Sequence, residues 1–414
     1  MPAATLAVDF GTSNSAAAFL DAGQLRRLPI EPGNETLPTA VFFPAGSGAM
    51  RIGTAAGEAL IAGDEGRYMR ALKSVLGTDL LHEPRLIGGK RQTLADIVTA
   101  FLVVVKERAE AAAGCPFTAV LSGRPVHFHS ADPARDARAE ADLRSCYLAA
   151  GFTHVDFLFE PEAAARASLG QGAAGELGLI VDIGGGTSDF SVFQSDAGQM
   201  RILASHGIRL GGTDFDQAVS MSHAMPLLGR GGQLTRTFGD GLLPVPNAIY
   251  GDLSTWAQIP FVYTQDTRRA VKDMVRHAVE PKVMARLETV IDEQLGHELA
   301  FAVEAGKIAA NGGSDSGIKM GFIEPRLTAP ISAASLDASL SDARKRLRVA
   351  MQETLVEAGV QADQIGAVVL VGGSSLMQLV ADEARALCPG AALRRSEAFT
   401  AVVDGLALAT AEAR

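Results

Sequence analysis

Cysteine is scarce in this sequence, which has three cysteines among 414 residues. Such a small and odd number, with wide spacing along the chain, excludes a disulfide framework and a cysteine-rich zinc site. No apolar run reaches the roughly 20 residues that a membrane-spanning helix needs. No basic, signal-like segment precedes the first apolar stretch. We therefore expect a cytoplasmic protein that has no membrane partner.

Aromatic residues are also few, at 6% with a single tryptophan, whereas glycine and alanine are abundant. Small residues of this kind favour close packing of helices on sheets. The net charge is −10, and charges of both signs are mixed without a basic patch, so we expect no nucleic-acid partner. At about 150 residues per domain, the length predicts two or three compact units.

The most informative segment is GLIVDIGGGTSDFSVF, residues 178–193. An apolar β-branched run ends at Asp182, a glycine turn follows, and an alternating run indicates a second strand. Glycines can adopt positive φ and approach a ligand closely, and their amides can form an anion nest. Thr187 adds a hydroxyl and Asp189 a second carboxylate, which suits a divalent cation beside a phosphate. The turn glycines are Gly184, Gly185 and Gly186. On its own, the pattern equally fits an ordinary hairpin.

The same layout occurs near the N-terminus in LAVDFGTSNSAAAFL, residues 6–20. An apolar strand ends at Asp9, a polar turn follows, and a second alternating strand comes next. The turn consists of Gly11, Thr12, Ser13 and Asn14. Because the two aspartates are far apart in sequence, the layout is a repeat. Two related lobes, each with a phosphate loop and an aspartate, would clamp the phosphates of a nucleotide and its metal.

Strands that alternate with helices along the chain predict an α/β fold. A third glycine turn, Gly372-Gly373, follows the apolar run at residues 365–371. Residues 267–311 are strongly helical. Residues 229–260 are rich in glycine and proline with little periodicity, and they predict a long irregular segment, either a functional loop or a poorly ordered one.

The order of these three glycine turns resembles the actin, sugar kinase and heat-shock ATPase superfamily. Within it, the chain is similar to the DnaK-type, seventy-kilodalton heat-shock chaperones, and its length resembles the truncated bacterial members called YegD-like. The segments that carry the resemblance are DFGTSNS from Asp9, FEPEAAA from Phe159, DIGGGTSDFSV from Asp182, LGGTDFD from Leu210 and VVLVGGSS from Val368.

This resemblance implies an α/β, two-lobed actin-like ATPase fold. Two duplicated ribonuclease H-like βββαβαβα lobes would enclose a nucleotide cleft. The first lobe would span residues 1–174, completed by about 395–414, and the second would span 175–394 with a helical insertion at about 217–310. ATP or ADP and Mg²⁺ are the implied cofactors.

The resemblance also implies roles for single residues. Asp9 and Asp182 would hold the magnesium through water molecules, and Asp189 would order the attacking water or a second cation. Lys73 would position the water and the γ-phosphate, and Glu160 matches the family glutamate. The residues implied to cradle the phosphates are Gly11, Thr12, Ser13, Asn14, Gly184, Gly185, Gly186, Thr187, Gly211 and Gly212. Taken by itself, Lys73 fits a solvated helix lysine better, and only its KSVLG context favours the functional role. Glu160 also fits a carboxylate that stabilises a helix N-terminus, a role compatible with the functional one.

The adenosine side of the site rests on fewer matches. Glu304 and Lys307 match residues that reach ribose and adenine, although an exposed helix pair spaced i, i+3 is equally compatible. Where the family has arginines, this chain has Ile308 and Leu376, which predicts looser binding of adenine between two aliphatic faces. The residues implied to line the adenosine are Gly372, Gly373 and Ser374.

Three functions remain open at this point. The first is a Mg-dependent, ATP-hydrolysing, chaperone-related protein without its own peptide-binding domain, which meets a protein client or a co-chaperone. The second is a small-molecule kinase of the same superfold, in which Asp182 deprotonates a substrate hydroxyl. The third is a nucleotide-binding scaffold or filament protein with negligible turnover. The context of Lys73 and the LGGTDFD segment favour the first over the kinase.

Overall fold

A computed structural model of the chain describes residues 4–45, 49–129, 132–167, 175–196, 199–237, 239–314, 316–395 and 400–411. The chain divides into two compact units, Met1–Gly212 with Arg344–Arg414, and Thr213–Ala343. These units are not the two lobes outlined above, because both large sheets lie in the first unit. The lobe boundaries therefore stay a prediction. Within the described ranges, no helix has the length and hydropathy that crossing a bilayer requires.

Strands and helices alternate along most of the chain. In chain order, the described strands are β1 (Thr5–Phe10), β2 (Asn14–Asp21), β3 (Gln24–Leu28), β4 (Leu37–Pro38), β5 (Ala40–Pro44), β6 (Arg51–Ile52), β7 (Gly66–Arg70), β8 (Arg85–Ile87), β9 (Lys90–Gln92), β10 (Ala119–Arg124), β11 (His154–Phe159), β12 (Leu177–Ile183), β13 (Ser188–Asp196), β14 (Gln199–Ile208), β15 (Gln233–Thr235), β16 (Leu242–Pro244), β17 (Ser316–Lys319), β18 (Thr328–Ile331), β19 (Ala367–Val371) and β20 (Ala392–Arg395). The described α-helices are α1 (Thr54–Ile61), α2 (Leu94–Ala113), α3 (Pro133–Ala149), α4 (Glu160–Ala167), α5 (Gly212–Val219), α6 (Ala248–Leu253), α7 (Gln265–His277), α8 (Pro281–Asp292), α9 (Gly296–Asn311), α10 (Ala333–Ser339), α11 (Ser341–Ala358), α12 (Gln378–Leu387) and α13 (Ala401–Ala409).

Each large sheet of the first unit is built on one glycine hairpin. The first sheet has the order β11-β10-β1-β2-β3, with β1 antiparallel to β2 and parallel to β10. The second has the order β14-β13-β12-β19-β20, with β12 antiparallel to β13 and parallel to β19. When the second sheet is followed from β20 to β14, its strand order and directions match those of the first sheet followed from β11 to β3, as the duplicated layout predicts. The glycine turns follow the carboxyl ends of β1 and β12, where open α/β sheets bind ligands.

Small residues hold the core of the first unit together. Helix α13 packs on α4, and a Cβ atom on Gly405 would lie only 1.6 Å from the Ala163 carbonyl oxygen. Ala7 and Ala16 belong to the same buried cluster and are at most 2% exposed. Side chains larger than these would separate the helices from the sheet. The close packing predicted from the composition is therefore confirmed here.

The second unit contains the segment at residues 229–260, whose described part is not irregular. It includes the hairpin β15–β16 and helix α6. Tyr250 and Trp256 are at most 1% exposed, and Trp256 packs edge-on against Phe301. The prediction of an irregular segment was wrong because its apolar residues enter the core at positions that follow no single helical or strand period.

Candidate functional site

The two glycine hairpins meet inside the first unit. We call residues 11–14 the first turn and residues 184–187 the second turn. A Cβ atom on Gly185 would lie 2.6 Å from Ser13 Oγ and 2.9 Å from Thr12 Cβ. Those separations are shorter than van der Waals contact, so any side chain at this position would push the turns apart. The structure thus brings together the two predicted phosphate loops.

Close approach, and not positive φ, explains the glycines of the second turn. The sequence predicts positive φ for them, and this is wrong, because none of the three lies in the left-handed region. The turn is closed instead by Gly184 N, which donates a hydrogen bond of 3.0 Å to the Thr187 carbonyl. In the first turn, a Cβ on Gly11 would lie 2.2 Å from the Asn14 carbonyl oxygen. Glycine thus makes room for backbone in the first turn and for the Ser13 and Thr12 side chains in the second.

Two further glycine segments pack against the second turn. The Gly212 amide donates to the Gly184 carbonyl at 3.0 Å, and a Cβ on Gly211 would lie 2.5 Å from a backbone nitrogen of the turn. Gly372 has a φ of 80°, and a Cβ there would lie 2.7 Å from Asp182 Oδ1. The predicted glycines after β14 and β19 therefore surround the second turn.

Lys73 and Glu160 form a buried ion pair in this region. The Lys73 Nζ lies 2.5 Å from Glu160 Oε1, and the two residues are 7% and 9% exposed. Lys73 lies on a short 3₁₀ turn, Leu72–Val75, so it is not a solvated helix lysine. Burial lowers the pKa of Lys73, but Glu160 and Asp9 outweigh this effect and raise it overall. Lys73 is therefore a cation that can donate hydrogen bonds.

Three aspartates share the electrostatic environment of this pair. Burial, followed by the Glu160 carboxylate, raises the pKa of Asp9 to about 7. The same two causes raise the pKa values of Asp182 and Asp189 well above the ordinary range, against the opposing effect of Lys73. Asp189 also accepts a hydrogen bond of 2.6 Å from the Val126 amide. The structure thus gathers the predicted carboxylates into one interacting group.

A pocket of about 310 Å³ opens beside the second turn. It is lined by Thr12, Lys73, Ser74, Phe128, His129, Gly186, Thr187 and Arg209. Four of the lining residues were predicted to bind phosphate or to act on it. Arg209 and His129 were not predicted, although Arg209 directly precedes the LGGTDFD segment.

The residues predicted to bind adenosine are divided between the two units. Gly373, Ser374 and Leu376 lie on a 3₁₀ turn of the first unit, where Leu376 is 41% exposed. Lys307 lies in the second unit and is buried, with its Nζ 2.6 Å from Asp216 Oδ1. Asp216 also accepts a hydrogen bond of 3.0 Å from Trp256 Nε1.

Two further residues with predicted adenosine roles, Glu304 and Ile308, lie on the same helix as Lys307 and differ in solvent exposure. Ile308 is 60% exposed, whereas Glu304 is partly buried. The adenosine roles of Glu304, Lys307, Ile308 and Leu376 stay predictions.

The aspartate group fits a divalent cation only in part. Mutual repulsion and burial disfavour ionised Asp9 and Asp182, so a bound cation would relieve a real electrostatic cost. Oxygen ligands of this kind suit magnesium, which keeps several of its waters in protein sites. Among the described residues, however, no three carboxylate, histidine or cysteine groups are arranged to enclose a metal ion. The fit is therefore to a hydrated cation held by two carboxylates.

Comparison with known proteins agrees with the geometry of the first unit. Residues 82–227 match the family described as Hsp70 protein. This part of the chain is therefore similar to Hsp70 proteins. The matched range contains Glu160, Asp182, the second turn and Asp189, and it excludes the first turn and Lys73. The predicted family and its α/β actin-like ATPase fold are thereby confirmed.

Two curated relatives illustrate the extent of the match. A chaperone protein HscA homolog from Pseudomonas putida is 32% identical over 234 residues, which cover 51% of this chain and 36% of the relative. A chaperone protein DnaK from Thermoplasma acidophilum is 32% identical over 220 residues, covering 52% of this chain and 34% of the relative. The matched part thus spans about a third of the length of these chaperones.

Proposed function

We propose that this protein binds ATP with Mg²⁺ and hydrolyses it slowly to ADP and phosphate, as a chaperone-related nucleotide switch. The observation that carries the proposal is the contact between the two glycine turns beside the buried Lys73–Glu160 pair. Phosphoryl transfer needs little covalent chemistry and depends on positioning and on charge compensation. Backbone amides, hydroxyls, a cation and carboxylates are the groups that such a site requires.

Each part of the site has a defined task in this proposal. The amides of the second turn and the hydroxyls of Thr12 and Ser13 bind phosphate oxygens. Lys73, which Glu160 holds in place, donates hydrogen bonds to the terminal phosphate and to the attacking water. Magnesium, held through water by Asp9 and Asp182, supplies charge neutralisation when bound.

Asp189 orients the attacking water in this proposal. Its Oδ1 atom accepts from the Val126 amide at 2.6 Å, which fixes the carboxylate relative to the strand. A carboxylate whose pKa is raised by burial and by Glu160 is a better proton acceptor than an ordinary one. Asp189 can therefore hold the water by its proton while Lys73 holds its oxygen.

The chaperone assignment rests on the relatives. Both matched proteins are named as chaperones. By extension, we propose that this chain has a protein client or a co-chaperone as its partner and that it is located in the cytoplasm. In this proposal, exchange of ATP for ADP at the glycine turns changes the affinity for that partner. A pull-down of a denatured model protein in ATP and in ADP tests it, and equal capture in both nucleotides contradicts it.

A small-molecule kinase is the second candidate. The raised pKa of Asp182 favours it, because such a carboxylate could deprotonate an acceptor hydroxyl. Phosphate release separates the two functions, since a hydrolase releases phosphate from ATP with no added acceptor. A kinase leaves ATP intact until its acceptor is supplied.

The Lys73→Ala variant tests the hydrolytic role. We expect turnover to fall by at least about tenfold, on the order of 1.4 kcal/mol of barrier, while ADP affinity changes little, because Lys73 acts on the terminal phosphate and the water. Phosphate release and calorimetric titration with ADP measure the two effects. Lys90→Ala, which removes an exposed lysine of β9, is the matched control.

The double variant Lys73→Met with Glu160→Gln controls for folding. Lys73→Ala leaves the Glu160 carboxylate buried without its partner, which destabilises proteins by several kcal/mol. The double variant removes both charges and should unfold near the wild-type temperature while remaining slow. Equal loss of ADP binding and turnover in this stable variant would contradict the role given to Lys73.

A further inference from the structure

The pocket beside the second turn has little free positive charge with which to bind the terminal phosphate of a nucleotide. Such a group carries about two negative charges near neutral pH. The positive charge of Lys73 is already engaged by Glu160 at 2.5 Å, and Asp9 and Asp189 act on it as well. In addition to the proposed magnesium, a further positive group beside this pocket would therefore stabilise a terminal phosphate.

His129 lines the pocket but does not supply that charge. It is 6% exposed, and its Nε2 donates to the Leu76 carbonyl at 2.8 Å. Burial, together with the nearby positive charges of Arg135 and Arg209, lowers the pKa of His129 despite its bond to Leu76. The imidazole is therefore neutral at physiological pH, and it fixes the backbone that follows Lys73.

Arg209 is the other basic side chain among the described residues that line this pocket. It comes directly after β14, next to the glycines that pack on the second turn. Arg346 Nη2 donates to the Arg209 carbonyl at 2.8 Å, and Ser188 Oγ donates to the Leu210 carbonyl at 2.7 Å. These bonds fix the backbone directly after the Arg209 Cα atom. Its place at the pocket wall is thus set by the sheet.

We propose that the Arg209 guanidinium binds the terminal phosphate of the nucleotide and so makes this site prefer ATP over ADP. The inference rests on the proposed ATPase function. The planar guanidinium can contact two phosphate oxygens at once, which a lysine cannot do. Because ADP lacks the terminal phosphate, this contact exists only in the ATP state. Arg209 therefore couples the identity of the nucleotide to strand β14, which it directly follows.

Calorimetric titrations of Arg209→Ala test this assignment. The ligands are the non-hydrolysable imido analogue of ATP and ADP, each with Mg²⁺. Hydrogen bonds to charged groups predict a loss of affinity for the analogue of about tenfold to hundredfold. The affinity for ADP should change by less than about twofold, a difference smaller than one neutral hydrogen bond. Arg209→Lys should lie between the wild type and Arg209→Ala.

Arg201→Ala is the matched control, because it removes an exposed arginine from β14, the strand that Arg209 directly follows. It should leave both affinities at the wild-type values, which excludes a general effect of net charge. Arg209 is itself exposed, so its variants should melt at the wild-type temperature.

Two results would overturn the inference while leaving the proposed function intact. One is an unchanged ratio of analogue to ADP affinity in Arg209→Ala. The other is an equal loss of both ligands, which would place Arg209 at the diphosphate. A wild-type protein that binds neither nucleotide would instead overturn the proposed function, and the inference with it.

Discussion

The two sheets that contain the glycine hairpins share strand order and direction. The hairpins differ in the residue that is paired with the aspartate near the end of their first strand. In the first hairpin, Asp9 is paired across the strands with Ala16. In the second, Asp182 is paired with Asp189. Like charges directly opposite each other on antiparallel strands are destabilising. The second hairpin therefore carries a repulsion between carboxylates on its two paired strands, which the first hairpin lacks.

The different pairing indicates a division of labour between related sheets. The first hairpin offers hydroxyl groups at Thr12 and Ser13 and a single carboxylate. The second offers two carboxylates and a turn of backbone amides, and one carboxylate is anchored by the Val126 amide. We infer that the first hairpin mainly binds phosphate, whereas the second also positions the reacting water. The same topology thus supports unequal roles.

Of the variants that test this difference between the hairpins, Asp182→Asn should cause the largest loss of function. It removes one charge of the Asp182–Asp189 pair and one of the two carboxylates proposed to hold magnesium. We expect turnover to fall by at least about a hundredfold, comparable to the loss of a strong electrostatic contact in other active sites. The fold should stay intact, since the amide is isosteric. Phosphate release and circular dichroism measure these outcomes, and wild-type turnover at ordinary magnesium concentrations would contradict the role of Asp182.

The first hairpin should show its own electrostatic cost as a pH dependence. The pKa of Asp9 is about 7 in the folded protein against an ordinary value of 3.8, so the folded state holds the proton more tightly. Without metal, the free energy of unfolding should therefore fall by a few kcal/mol as pH rises from about 4 to 7. Chemical denaturation across this range measures the slope.

Asp9→Asn should reduce this slope, because an amide does not titrate, and the slope that remains belongs to Asp182 and Asp189, whose pKa values are also raised. Asp21→Asn is the matched control, since Asp21 ends β2 of the same hairpin and its side chain is 58% exposed. A slope that is the same in Asp9→Asn and in the wild type would show that Asp9 does not carry the effect.

Gly185→Ala should have the smallest effect of the three, because it disturbs only the contact between the turns. Its Cβ would lie 2.6 Å from Ser13 Oγ, whereas a Cβ on Gly184 would meet only the Thr187 carbonyl oxygen at 3.7 Å. We expect ADP affinity to fall about tenfold, or about 1.4 kcal/mol, in Gly185→Ala and to stay near wild type in Gly184→Ala. Calorimetry with ADP and magnesium measures both, and equal affinities would show that this contact does not shape the site.

The sequence predicts the hairpins well because each is a local pattern. A β-branched run that ends in an aspartate and a glycine turn specifies strand, turn and strand within about twenty residues. The family likeness follows from the same segments. The order of the strands in both sheets agrees with the duplication that these patterns indicate.

Features that depend on distant contacts were predicted less well. Gly185 of the second turn is required by close contacts with Ser13 and Thr12, which lie far away in sequence, and the expected positive φ of the turn glycines was wrong. Arg209 carries no motif of its own, and its relation to Lys73 depends on where β14 ends in the sheet. The core role of Trp256 was missed because its segment has no regular period.

A crystal structure with ADP, Mg²⁺ and a phosphate mimic such as beryllium fluoride tests the central claim most directly. The account predicts that the diphosphate lies between the first and second turns, within hydrogen-bond distance of their amides, and that the mimic contacts Lys73. A nucleotide whose phosphates lie elsewhere, with the two turns still packed against each other through Gly185, would contradict it.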